Sequence, residues 1–289
     1  MKVRLFTDSC CDLPASLMQR YDIGMVNLTY LIYDREHIDD LWQSTDAANF
    51  YELMRAGAVP KTSQVNADQF VNTFRQAVNG GNAVLYLAFS SALSGTANAA
   101  ILAAKMVTSE IPNASITVID TKCASLGQGL LVYETAKRLA AGASLEELVT
   151  WVNDNIQHVN HWFTVGDLEY LKRGGRVSPL VGSIGSLLQI KPVLRVDEEG
   201  RLVPWAKARG RRKALDMLIE LMERQCVEVT GLTAAISHAD CLEEAKNMEQ
   251  RMRERFDLDE VIIHDIGPVI GAHAGPDTLS IFFFGDNRS

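Results

Sequence analysis

The sequence predicts a two-domain α/β protein, with an N-terminal doubly wound domain on a parallel sheet and a C-terminal α/β domain on a mixed sheet. Three observations carry this reading. Short, continuously apolar runs alternate with helical stretches over the first half. In the second half, an acidic turn ending in Gly200 joins two neighbouring strand-like runs, as in a hairpin. The length of 289 residues corresponds to two domains at roughly 150 residues each.

In the first half, residues 3–6, 83–89 and 116–119 are apolar without alternation. That pattern marks strands buried on both faces, as in a parallel sheet. A helix is expected over 68–78. Another is expected over 97–107, where Ala97, Ala100, Ile101, Ala104 and Val107 recur at helical spacing, and a third over 126–140. Ser144 followed by Glu147 is a capping box, opening a helix that buries Leu145, Leu148, Val149, Val152 and Ile156.

The second half offers strands at 162–165, 189–196, 202–205, 232–237, 261–264 and 278–284. Helices are expected over 211–225 and 242–256, the latter capped by Asp240 and carrying an outward Glu249–Arg253 pair. A hairpin beside helices gives a mixed sheet. The boundary is placed so that the domains run 1–158 and 159–289.

Composition excludes several classes. Lys+Arg 28 against Asp+Glu 36 leaves a net charge of −8, which argues against a general binder of nucleic acid or anionic membranes. Five cysteines without a C-x-x-C pair read as reduced thiols. No run approaches the roughly 20 apolar residues of a membrane span, and the first residues are too short an apolar stretch for a signal peptide. A soluble, cytoplasmic protein with no stable membrane insertion is expected.

The strongest local signal is Ser90-Ser91-Ala92-Leu93-Ser94-Gly95-Thr96, between a buried strand and a helix. Open α/β sheets bind ligands at that carboxyl edge, and a helix start offers free N–H groups to an anion. The plain alternative is a helix N-cap. A nucleophilic serine is a sharper one, with Ser94, His273 and Asp8 as a conceivable triad, although no G-x-S-x-G elbow is present. Lys61-Thr62-Ser63-Gln64 could present two hydroxyls to a ligand or simply open the next helix. Thr7-Asp8-Ser9 ends the first strand on the same edge.

Further along, residues 168–176 join an apolar helix to a basic glycine turn, Lys172-Arg173-Gly174-Gly175-Arg176. It suits phosphate or an acidic partner, or a helix C-terminus capped by glycine. It is not a P-loop, since G-x-x-x-x-G-K-[ST] is absent. The nearly uncharged stretch 177–188 can line a slot for an alkyl group or allow close helix packing. Residues 267–276 form a glycine-rich loop presenting His273. His158 and His161 lack partners for a metal set, and the basic run 207–213 reads as a solvated helix start.

Taken together and in this order, these segments resemble the DegV family of bacterial fatty-acid-binding proteins. The resemblance covers nearly the whole chain. It includes Asp12-Leu13, Val118-Ile119-Asp120-Thr121 and Leu188-Gln189-Ile190-Lys191-Pro192-Val193-Leu194 besides the motifs above. It implies one long-chain fatty acid held in a buried ligand tunnel between the two domains. It places the carboxylate on Thr62 and Ser94, with Ser63, Gly95 and Thr96 adjacent and His273 near the head group. It implies a carrier without cofactor rather than an enzyme. A dihydroxyacetone-kinase-like fatty acid kinase subunit would supply ATP and make acyl phosphate for phospholipid metabolism, with Arg173 as the contact to it. Two positions depart from the family pattern: Cys10-Cys11 stands where small or hydroxyl residues are common, and Asp277 replaces a glycine, placing extra negative charge near His273. A serine acyl hydrolase or transferase using Ser94, or a lipid-sensing regulator, are the competing expectations.

Overall fold

The structure, a computed structural model, describes residues 1–177, 190–226 and 232–288. Residues 178–188 of the expected alkyl slot lie outside that set. The first part of the chain forms β1 (Lys2–Asp8), α1 (Ala15–Arg20), β2 (Gly24–Val26), β3 (Thr29–Ile32), β4 (Arg35–Ile38), α2 (Ala47–Arg55), β5 (Lys61–Ser63) and α3 (Ala67–Asn79). It continues through β6 (Asn82–Ala88), α4 (Thr96–Glu110), β7 (Ile116–Asp120), α5 (Ser125–Ala140) and α6 (Leu145–Asn155). The rest forms β8 (Val159–Thr164), α7 (Leu168–Gly174), β9 (Ile190–Val196), β10 (Leu202–Arg209), α8 (Arg211–Gln225), β11 (Leu232–His238), α9 (Leu242–Arg253), β12 (Leu258–Asp265), α10 (Pro268–Ala274) and β13 (Leu279–Phe284).

The first sheet is parallel, in the order β2-β1-β6-β7. Successive residues of β6 leave it on opposite sides. Val84, Tyr86 and Ala88 join Phe70 and Phe74 of α3 and Ala97 and Val107 of α4, whereas Leu85 and Leu87 join Leu126, Leu130 and Leu148. Both faces are covered, which is why these strands read as unbroken apolar runs.

The second sheet has the order β10-β9-β8-β13-β11-β12 and is mixed: β11 and β12 run parallel, and the other neighbours antiparallel. The expected hairpin joins β9 to β10. Gly200 turns at φ +80, and Asp197 accepts hydrogen bonds from the N–H groups of Glu199 and Arg201. Helix α5 lies between the two large sheets. Its leucines share one core with Leu85 and Leu87 on one side and Ala235, Ile262 and Phe282 on the other. Two glycines let it approach: a Cβ on Gly127 would lie 2.1 Å from His161 Nε2, and one on Gly129 would lie 2.5 Å from the Cys11 carbonyl oxygen.

Several expectations are corrected. Strands β3, β4 and β5 form a small antiparallel sheet, β4-β3-β5, which with α2 makes a unit the sequence does not announce. Thr62 and Ser63 are in strand β5 and do not start a helix. The cap of α3 is Asn66, boxed with Gln69. Asp240 does not cap α9; the N-cap position is Cys241, and Asp240 binds Arg55 instead. The basic run 207–213 is divided at Gly210 (φ +83), with Lys207 and Arg209 in β10. The glycine-rich stretch 267–276 is largely helix α10, with Pro268 at its first turn and Gly275 (φ +80) at its end. The Ser144–Glu147 capping box and the Glu249–Arg253 pair are as expected.

Replacing Gly127 with alanine drives a methyl group into the His161 ring, and overpacking of this kind costs about 1–3 kcal/mol. We expect Gly127→Ala to lower the urea midpoint without changing the slope of unfolding, as measured by equilibrium denaturation.

Candidate functional site

Four segments distant in sequence meet around His273. Helix α10 carries His273, and Thr62 of β5 pairs with it, Oγ1 lying 2.9 Å from Nε2. Gly174, ending α7, packs on the other ring nitrogen, since a Cβ there would lie 2.3 Å from His273 Nδ1. Two residues beyond Thr62, the Gln64 side chain fills the space a Cβ on Gly95 would need, its Oε1 only 2.2 Å from that position. Arg176 closes the ring by donating from Nε to the Leu93 carbonyl, 3.4 Å away. The Lys61–Gln64, Ser90–Thr96, 168–176 and 267–276 motifs are therefore one cluster.

Within it, Ser94 Oγ lies 2.9 Å from Thr96 Oγ1 and accepts a 3.3 Å hydrogen bond from the Thr96 N–H. Helix α4 thus begins with Gly95 at the N-cap position and no side-chain cap, while Ser94 serves the first turn from outside. Thr96 is fully buried, Ser94 half-buried and Ser63 exposed. Strand alternation explains the last: Thr62 turns inward, so its neighbour turns out.

Beyond the cluster runs a cavity of about 630 Å³, counting the space open to solvent at its mouth. Its wall is mainly apolar. Phe89 and Leu93 come from the first sheet's edge, Phe163, Leu202 and Phe282 from the second sheet, and Leu171 and Ile270 from α7 and α10. His273 and Arg176 stand where the cluster meets this wall, and Ala124, Ser125 and His161 also line it, beside the start of α5.

The two histidines that line the cavity, His161 and His273, are neutral at pH 7. Burial, aided by Arg176, brings His273 down to about 4 from the ordinary 6.5. His161, fully buried, is pushed well below its usual value by desolvation; its Nδ1 meets the Val159 carbonyl and its Nε2 accepts from the Ala124 N–H. His273 Nδ1 is buried without a hydrogen-bond partner. Among the described residues, no carboxylate is hydrogen-bonded to that ring, and Ser94 is paired with Thr96. Asp8 is not part of the site. It is fully buried, accepts hydrogen bonds from Tyr86, Phe89 and Cys10, and burial raises its carboxyl above the usual range. Ser90 donates to the Gly200 carbonyl at 2.9 Å, pinning the hairpin of the second domain. Among the described residues, no group of His, Cys, Asp and Glu is arranged to hold a metal ion.

The sequence model of the DegV family matches residues 2–286, spanning every motif of this cluster. The chain belongs to the DegV family. It is 43% identical over 287 residues to a DegV domain-containing protein of Clostridium perfringens, with 99% of each chain covered. A DegV lipid-binding protein of Thermotoga maritima shares its fold at TM-score 0.87 and 32% identity, over the whole of both chains. A fatty-acid-binding DegV family protein of Thermus thermophilus does so at TM-score 0.89 and 30% identity, over 99% of this chain and 100% of that one. DegV of Bacillus subtilis, at TM-score 0.86 and 29% identity over 99% of this chain and 100% of that one, is likewise a fatty-acid-binding protein.

The DegV motifs mark the cluster and the part of the wall beside it, through Leu93, Leu171 and Ile270, but not the wall formed by the second sheet. Gln64 and Gly174 hold the cluster together, yet neither carries chemistry by which sequence reasoning singles it out. The wall residues Phe163, Leu202 and Phe282 read only as strand residues, because facing a cavity and facing a core have the same apolar signature. Arg173 is exposed at the end of α7 and lies over Tyr170, 5.4 Å from the ring centroid. No transmembrane-length apolar helix occurs among the described residues.

A histidine depressed to about 4 in the fold but near 6.5 when unfolded binds fewer protons folded than unfolded between those values. Its contribution to stability is therefore present at neutral pH and is lost as pH falls from about 6.5 towards 4. We expect His273→Gln to flatten that part of the pH dependence relative to wild type, as measured by urea midpoints across the window.

Proposed function

We propose that this DegV protein binds one long-chain fatty acid, with domains 1–158 and 159–289 as the two walls of the tunnel. The carboxylate lies at Thr62, Ser94 and His273, with Ser63, Gly95 and Thr96 adjacent. The observation that carries this reading is an apolar cavity ending at a cluster of neutral hydrogen-bonding groups. Hydroxyls, a helix start and one nearby guanidinium can hold a carboxylate without burying a full ion pair beside it. The chain contributes roughly 0.8 kcal/mol per buried CH₂.

The protein acts as a carrier in the cytoplasm and presents the carboxylate to a separate ATP-using fatty acid kinase subunit of the dihydroxyacetone-kinase type. Two features support this part. The sequence has no P-loop, so a nucleotide site of that kind is not its own. Arg173 is exposed one residue before Gly174, which packs on His273, so a docked partner there would sit beside the head group.

Mass spectrometry of the denatured purified protein should release a long-chain fatty acid. Thr62→Ala combined with Ser94→Ala should weaken palmitate binding by about a hundredfold or more, because charge-assisted hydrogen bonds are worth about 1.5–3 kcal/mol each. Full lipid occupancy in the double variant would place the head group elsewhere. Esterase activity lost in Ser94→Ala, with no lipid released from wild type, would favour a hydrolase. Failure to capture a kinase subunit from cells in which a known pair associates would remove the kinase role.

A further inference from the structure

Residues 29–63 form a cover over this cluster. The sheet β4-β3-β5 and helix α2 pack around Tyr30, Ile32, Phe50, Tyr51 and Met54, and that core takes in Ala239, Ile266 and Ala272 of the second domain. The chain enters and leaves this unit through the short links before β3 and after β5. Thr62 is part of the cover and His273 is part of α10, so their contact exists only while the cover lies against the second domain.

Besides that packing, two hydrogen bonds and a two-armed ion pair at α2 hold it there. The Tyr51 hydroxyl donates to the Ile266 carbonyl at 2.6 Å, and the Tyr170 hydroxyl of α7 donates to the Met54 carbonyl at 3.4 Å. In the ion pair, Arg55 reaches Asp240 with one terminal nitrogen and Asp277 with the other, the latter at 2.8 Å. The two aspartates lie in different loops that are tied together, the Asp277 N–H donating to Ala239 and the Ala239 N–H to Thr278, both at 2.8 Å. Both aspartates also have left-handed backbones, at φ +56 and φ +60. Such conformations suit glycine and are tolerated by aspartate at some strain. Asp277 thus occupies a glycine-like backbone position, and its carboxylate is committed to Arg55, not to His273 as its place in the sequence suggests.

We propose that Arg55 is a positioning residue for the head-group site, clamping the cover onto the Asp240–Asp277 fork so that Thr62 stays against His273. This rests on the fatty-acid-binding reading above. Arg55, Asp240 and Asp277 are 39%, 32% and 54% exposed, so the clamp is open to screening by salt while the two hydroxyl bonds are not. A ligand leaves when the cover lifts, and the strength of the clamp sets how often it does.

The test compares wild type with Arg55→Ala, Arg55→Lys and Asp277→Gly. Transfer of palmitate to albumin should be about five- to tenfold faster in Arg55→Ala at low salt, as expected for losing a partly exposed, two-armed ion pair. Arg55→Lys should fall between, because an ammonium is a point charge that cannot span both carboxylates. Asp277→Gly removes one arm while keeping the backbone unstrained, which separates loss of the clamp from misfolding. High salt should bring wild type towards Arg55→Ala. In the same variants the His273 imidazole, followed by NMR, should titrate above its closed-state value of about 4, because lifting the cover returns it to water. Wild-type release rates and an unmoved His273 titration in both Arg55→Ala and Asp277→Gly would overturn the proposal. Should wild type hold no palmitate, the binding reading fails, and the lipid-free protein still decides the clamp. Faster amide exchange over residues 47–55 with a raised His273 titration supports it, and no change overturns it.

Discussion

The structure depends on one constraint: helix α5 is buried on nearly every side. Residues 125–133 are all buried, so the helix has no polar face there to give to water. A helix apolar all round must sit inside a molecule, and here it sits between two sheets that would otherwise each need their own cover. Most of the polar groups it takes inside are matched, Gln128 Oε1 being the exception. Gln128 donates to Thr7 Oγ1 at 2.9 Å, and Ser125 lies within hydrogen-bonding distance of Asp12 and, at 3.0 Å, of Ser237. Because α5 spaces the sheets, its first residues mark one part of the cavity wall. Ala124 and Ser125 line it, and the Ala124 N–H holds the ring of His161.

The same burial decides the electrostatics. Desolvation raises Asp8 and Asp12 and brings Asp39 up to about 7, while it lowers His161 and His273. Groups that would carry charge in water are driven towards neutrality throughout the interior. What remains to meet an anion at the cavity head is a set of dipoles with Arg176 alongside. Such a site offers hydrogen bonds to a carboxylate without locking the anion in a buried ion pair.

Much of the fold is legible in the sequence, and the exceptions share a cause. The buried strands of the first sheet, the hairpin at Gly200 and the capping box at Ser144 announce themselves because hydrophobic pattern, turn chemistry and capping agree there. The cover of residues 29–63 does not, since Arg35–Ile38 and Lys61–Ser63 are short and polar and become strands only by pairing with β3. Helix α10 is hidden for a related reason: Pro268 and Gly271 are poor helix signals, and Gly271 is required because a Cβ there would lie 2.3 Å from the Tyr51 hydroxyl oxygen. For the site, the hydroxyl and histidine residues are visible as motifs, and only the fold shows that Thr62 and His273 touch. Asp240 and Asp277 illustrate the limit: each has a sensible local reading, as a cap or as a charge near His273, and both are overridden by Arg55 from far away in the chain.

The position of β13 has a consequence for how the molecule is made. Strand β13 lies between β8 and β11 in the middle of the second sheet, yet it follows every other described strand in chain order. Until it arrives, β8 and β11 present open edges, a liability for any partly folded chain. Phe282, on the cavity wall, and His273, just ahead of β13, are delivered with the same segment. A growing chain therefore completes the sheet and the apolar cavity in one late step, so no shorter nascent chain has the finished cavity.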